Sequence, residues 1–159
     1  MDKIKIINKL VDNVNMEIKK VEKTFATTRA LAAHEEMKAE SKWDMRKQEA
    51  SYLAEAHQKR LEELKLELKL LGEIHVRDFS SDDEVEIGAI VLIELNGQQR
   101  HYFISSTAGG TLLDIDGTAI LVISVFSPIG SEVLGLKVCE SFELETPKET
   151  RVYTVRKII

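Results

Sequence analysis

Four carboxylates crowd into ten residues of this chain: Glu35, Glu36, Glu40 and Asp44. Carboxylate oxygens suit hard cations, so such a group could lend ligands to a Mg²⁺ held elsewhere and order the water it activates. Lys38, Lys42, Arg46 and Lys47 interleave with the acids. Mixed charge of that kind equally suits a solvated turn with no chemistry of its own. Trp43, the single tryptophan, sits beside the group, placed to pack on the turn or to touch a partner. Elsewhere the residues that carry catalysis are scattered. His34, His57, His75 and His101, with the one cysteine, Cys139, make no zinc-ligand spacing. Gly109-Gly110 lacks the strand, lysine and helix of a phosphate-cradling loop and reads as a turn. No serine stands in a nucleophile elbow.

The chain around these residues has 159 positions, room for one ordinary domain or for a small domain plus an extended element. Its 43% hydrophobic and 31% charged residues suit a folded chain rather than a disordered one. No apolar run approaches the ~18 residues of a membrane span. Charges interrupt residues 1–9 at every turn, unlike a secretion signal. A single cysteine cannot form an internal disulfide, and the cytoplasm is the expected compartment. Net charge is −5, with 15 Lys/Arg and 13 Asp/Glu in residues 1–71 against 7 and 14 in residues 72–159. Neither half offers a basic platform for phosphates, so a protein is the expected partner.

What must position the carboxylates is a stretch without helix breakers. All eight glycines and both prolines lie at Gly72 or later. Before that, Ile4, Ile7, Val11, Val14, Ile18, Val21 and Phe25 recur in steps of three and four, with Thr28 and Ala32 in the same register. A second seam runs through Ala50, Ala54, His57, Leu61, Leu64, Leu68 and Leu71. Each has the 3.5-residue period of a coiled coil. The two do not share a frame, and a polar segment, residues 34–44, separates them. A seam that stops, breaks frame and resumes predicts two helices folded back on each other, residues 1–72, with the tip at about 35–43. Arms of about 30 residues would be roughly 45 Å long. The competing geometry is one continuous helix in a parallel dimer, whose core the charged gap would interrupt. His57, on the second seam, reads as a packing residue rather than a ligand.

Residues 73–159 follow another grammar. Residues 89–95 and 119–125 are short β-branched apolar runs, as buried strands require. Asn96-Gly97 ahead of residues 98–105 predicts a tight hairpin, and residues 142–145 and 151–157 alternate across a Thr146-Pro147-Lys148-Glu149 turn. Ser127 can cap a short helix, Pro128 fits its first position, and Gly135 its left-handed end. The fold class is therefore α+β: an antiparallel helical hairpin followed by an antiparallel sheet of about five strands with one short helix.

Residues 123–130, ISVFSPIG, with Val133-Leu134-Gly135-Leu136-Lys137-Val138, resemble the segment ISVxSPLGxALLGKKVGD of the Gre (GreA/GreB) family of bacterial transcription elongation factors. Residues 142–147 and 152–158 are similar to the family's last two strands, and with the hairpin the resemblance covers nearly the whole chain. It implies an FKBP-like C-terminal domain that grips the rim of the RNA polymerase secondary channel, with Ser127, Pro128 and Ile129 in the contact. The family's tip pattern, GDLKENAEY, aligns with Glu35-Glu36-Met37-Lys38-Ala39-Glu40-Ser41-Lys42-Trp43. Glu36 then stands for the metal-directed aspartate, while the second acidic position falls on Ala39 with Glu40 one place later. One place on a helix rotates a side chain by about 100°. Cys139-Glu140 also departs from the family's Gly-Asp.

The resemblance implies an accessory factor with no activity alone. Glu36 and Glu40 would steady a Mg²⁺ shared with the polymerase active site, and the backtracked 3′ end of the nascent RNA would be hydrolysed. No metal or cofactor would be bound stably by the chain alone, no membrane would be involved, and the chain would be a monomer. The rival reading is a non-cleaving regulator that occupies the channel and alters pausing or initiation. A dimerising scaffold is the alternative from another class, and prolyl isomerisation does not follow from an FKBP-like fold.

Overall fold

A computed structural model of the chain divides into two compact units. It describes residues 2–36 and 45–159; the side chains of residues 32, 35, 36, 45–48 and 50 lie outside that description. Contacts group Met1–Leu10 with Leu70–Ile159, and Val11–Lys69 by itself. Composition instead changes after Gly72. Ile6 and Leu10, in the first turns of the first helix, are buried.

The helices are α1 (Lys3–Glu36) and α2 (Met45–Gly72). With no glycine or proline before Gly72, nothing interrupts either one. Inside the helical unit, Arg60 pairs with Glu17 at 3.5 Å, and the His57 ring meets Phe25 edge-on at 6.2 Å between centroids. Positions rise along one helix as they fall along the other, so the pair is antiparallel within one chain, and the single-rod geometry is set aside. Val14, Ile18, Val21, Phe25 and Thr28 face inward against Ala54, His57, Leu61, Leu64 and Leu68, as the heptads require. Two expectations at the base of α1 change. Ile4 is 60% exposed, and Lys3, Ile6 and Leu10 are buried in its place. Burial at positions 3, 6 and 10 follows the 3.6-residue face of a helix rather than the 3.5-residue seam.

The sheet unit has β1 (Ile90–Leu95), β2 (Gln98–Ser105), β3 (Leu112–Ile115), β4 (Thr118–Ser124), the short helix α3 (Pro128–Val133), β5 (Ser141–Glu145) and β6 (Thr150–Ile158). Strand order is β3-β4-β2-β1-β6-β5. Two features correct the sequence reading: the sheet has six strands rather than about five, and it is mixed rather than antiparallel. β3 pairs antiparallel with β4 at the edge, so the chain returns and lays β4 parallel to β2. Asn96 and Gly97, with φ of 52° and 77°, make the β1–β2 turn, and Asp116 and Gly117, at 52° and 83°, repeat the device between β3 and β4.

Both faces of the sheet are buried. One carries Val91, Ile93, Tyr102, Ile104, Phe142, Tyr153 and Val155, closed by Val133 of α3 and by Val85. The other carries Ile90, Phe103, Ile120 and Val122. Phe142 and Tyr153 stack at 5.1 Å as a cross-strand pair. The segment before β1 has no regular structure of its own and is held by Val85, whose backbone bonds to Leu136 and Gly135. Lys3 donates to the Arg77 carbonyl, and Lys3 and Arg77 both lie over the Phe79 ring, at 4.5 and 3.9 Å. Burial, ahead of the charges of Asp78 and Arg77, lowers the Lys3 pKa.

Candidate partner-binding surface

Parallel pairing of β2 and β4 makes the two strands finish together, with Ser105 beside Ser124. Two loops therefore leave the sheet side by side: residues 106–111 and residues 125–127. The first is laced to β4, where the Gly110 N–H donates to Val122 and the Val122 N–H to Thr111. Gly109 lies so close to Ser124 that an added Cβ would stand 2.9 Å from the serine Cβ. The second loop is pinned on each side of Phe126. Val125 N–H donates to the Ser105 carbonyl at 2.9 Å, and Phe126 N–H to Ser124 Oγ at 3.3 Å.

Ser127 ties the loop to α3. Its Oγ donates to the Ser124 carbonyl at 2.7 Å and accepts from the Gly130 N–H at 3.1 Å, as the N-cap of the short helix. Gly130 turns against β4, and a Cβ there would fall 2.0 Å from the Ser124 carbonyl oxygen. No other residue fits. Gly135, at φ +78°, ends the turn in the left-handed conformation.

The three residues named from sequence at this loop take different parts. Ser127 is turned inward and its hydroxyl is engaged with the backbone. Ile129 packs partly buried against the core. Pro128 alone of the three is well exposed. The residue that sequence reasoning passed over is Phe126, which is 86% exposed although the backbone around it is fixed. The only signal for it was an aromatic side chain at the variable position of the SPIG segment.

Glu40 lies outside the described residues, with Trp43. Glu36 is the last residue of α1, and its side chain is likewise outside the description. No group of three or more His, Cys, Asp or Glu among the described residues could hold a metal ion. Among the described residues, no helix is long and apolar enough to cross a membrane.

His57 Nε2, inside the helix pair, is buried and has no hydrogen-bond partner among the described residues. Its place on the seam, edge-on to Phe25, is that of a packing residue. Titratable groups with shifted pKa values lie away from the Phe126 loop. Hydrogen bonds from Arg156 and then Gln99 lower that of Glu94. Burial and then Lys157 lower that of His101.

Comparison with known proteins adds a family. Residues 80–159 match the family model described as transcription elongation factor, GreA/GreB, C-terminal. Among solved structures, the chain is similar to one described as the transcription factor Gfh1, at 21% identity over 93% of this chain and 92% of that one, with a TM-score of 0.41. It is also similar to the GreA factor homolog 1 (Gfh1) of Thermus thermophilus, at 19% identity, 94% of each chain and a TM-score of 0.39. The third is Thermus aquaticus Gfh1, at 19% identity, 92% of each chain and a TM-score of 0.41. No curated protein matches the chain.

Proposed function

The chain belongs to the GreA/GreB family of transcription elongation factors, and from that premise we propose that it binds RNA polymerase at the secondary channel and inserts its helical hairpin toward the active site. There the tip stimulates hydrolysis of backtracked nascent RNA. The observation that carries the reading is the match over residues 80–159, which contains the capped SPIG loop with an apolar side chain held out in water. Binding is the part of this reading with most support, because the loop is preorganised and a bound partner need not order it.

The chemistry rests on the carboxylates between the helices. Glu36 and Glu40 would supply oxygens to a Mg²⁺ shared with the polymerase, and hold its water, while the catalytic centre remains the polymerase's own. The chain is then an accessory factor and not an enzyme. One departure favours a second reading: Ala39 stands where the family has its second acid, with Glu40 one place later. A tip that fails to reach the ion would leave a regulator that fills the channel without cleaving.

Stalled elongation complexes with backtracked RNA test the choice. Cleavage predicts 3′-shortened transcripts when the factor is added, and their loss with Glu36→Ala and Glu40→Ala. RNA left at full length by the unmodified factor, in complexes that it demonstrably binds, rules cleavage out and leaves the regulator.

A further inference from the structure

The sheet ends in two edge strands, β3 and β5, and the molecule treats them differently. Ladder bonds in an antiparallel pair involve alternate residues, so every second residue of an edge strand directs its N–H and C=O away from its neighbour. At β3 the bonded pairs count from Val122, whose N–H donates to Thr111, which leaves Leu112 and Asp114 facing outward. That edge is strapped. Lys9 donates to the outward Asp114 carbonyl, and Lys5 pairs with Asp116 at 3.0 Å. At β5 the pairs count from Val155, whose N–H donates to Glu140, and from Thr146, whose N–H donates to Glu149. Ser141, Glu143 and Glu145 therefore face outward. All three are exposed, and among the described residues nothing bonds to their backbone groups on that side.

Side chains at the β5 edge alternate between the two faces. Glu143 and Glu145 share one face, where Val152, across from Glu143, is 48% exposed. Neither glutamate has an ion-pair partner among the described residues, whereas Glu149 pairs with Arg151. Phe142 and Leu144 lie on the other face and pack with the core. We propose that β5 is a strand-addition site for an extended segment of a partner protein in which basic and apolar residues alternate. The partner's backbone completes the ladder at Ser141, Glu143 and Glu145. Its Lys or Arg side chains lie beside the two glutamates, and its apolar side chains extend the Phe142–Leu144 face. The chemistry selects among occupants. A second copy pairing antiparallel through this edge sets glutamate against glutamate, which destabilises a ladder. A nucleic acid would meet carboxylates where it needs cations. Residues 72–159, with 7 Lys/Arg against 14 Asp/Glu, favour a basic segment. Such a site acts beside polymerase binding and does not depend on it.

The test is a titration of the full chain with a short capped peptide of alternating lysine and valine, followed by amide NMR and hydrogen exchange. Binding should saturate, and it should weaken as salt rises. The N–H groups of Ser141, Glu143 and Glu145 should gain protection from exchange, and those of Leu112 and Asp114 should not. Glu143→Lys combined with Glu145→Lys should weaken binding about tenfold or more. Glu143→Pro removes an outward donor while leaving the ladder bonds in place, and should weaken binding to a similar degree. A peptide of alternating glutamate and valine should not bind. Failure of the lysine peptide to bind overturns the proposal. So does binding that leaves the three N–H groups unprotected, the mark of a charge contact alone. Equal affinity of a folded Glu143→Pro variant overturns it as well; if that variant unfolds, the exchange pattern of the unmodified chain decides. With no polymerase in the assay, the functional reading above stands or falls separately.

Discussion

The helix pair and the sheet unit solve opposite problems with different means. The helices hold together by one narrow seam whose members are mostly half-buried beyond Val14 and Leu64. The sheet buries both faces, with Phe103, Ile104, Ile90 and Ile120 fully enclosed. A seam tolerates local change at modest cost, because each position touches few neighbours and water reaches its flanks. In the sheet unit the loop that carries Phe126 is held by backbone bonds: Val125 N–H to the Ser105 carbonyl, Phe126 N–H to Ser124 Oγ, and Gly130 N–H to Ser127 Oγ. The difference fits the division proposed above: recognition on the sheet unit, and the carboxylates Glu36 and Glu40 at and just beyond the end of α1.

That contrast can be broken most severely at Gly130. Gly130→Ala drives a Cβ into the Ser124 carbonyl oxygen, and the sheet unit should lose about 3 kcal/mol or more, read by denaturant unfolding followed at sheet-sensitive wavelengths. The helical signal should hardly change. An unfolding midpoint equal to that of the unmodified chain would mean the α3–β4 contact is looser than described. In the other unit, Leu64→Ala should cost about 2–4 kcal/mol, toward the lower end because the seam can partly close over the gap. Helical ellipticity should melt earlier while the sheet transition stays in place; a single shared shift would show that the two units unfold as one.

Cys139→Gly should act in the opposite direction. Cys139 sits at φ 74°, a left-handed conformation that costs a non-glycine residue about 1 kcal/mol. Glycine there should raise stability by about that amount, seen as a higher unfolding midpoint with unchanged slope.

The smallest effects are in pH, and the two units should differ in sign. Burial, ahead of the charges of Arg60 and Glu17, raises the Glu67 pKa in α2. The folded state then takes up its proton before the unfolded chain does, so the helix pair gains stability as pH falls toward the ordinary glutamate value. His101 in β2 has a lowered pKa, and the unfolded chain is protonated first. Its unit loses stability as pH falls through about 6.5. Unfolding followed by separate helix and sheet signals between pH 7.5 and 4.5 checks the signs. Glu67→Gln and His101→Gln should each flatten the corresponding trend.

Much of this was legible in the residues themselves. The seams, the Asn96-Gly97 turn and the Ser127 cap declare themselves because each depends on local chemistry at fixed spacing. β3 did not, since four residues, Leu112–Ile115, are too few to establish an alternation. The parallel β2–β4 pair follows from that missed strand. Lys3 was hidden because a lysine becomes a core residue only when a carbonyl and an aromatic ring meet it, and Arg77 and Phe79 are more than seventy residues away. Phe126 was hidden for the converse reason: sequence patterns assign aromatic residues to the interior, and only the packed loop shows one left outside. The strain at Cys139 was foreshadowed where the family segment carries glycine.

The most direct test of this division is a titration of backtracked elongation complexes with the unmodified factor, Phe126→Ala, and the Glu36→Ala, Glu40→Ala double variant. Transcript cleavage by Phe126→Ala should be weak at low concentration and should recover to the unmodified rate once enough factor is present. The double variant should occupy the complexes at ordinary concentration and remain inactive at saturation. If instead the two lose cleavage in the same way, with neither rescued by concentration, recognition and chemistry are not divided between the units as described.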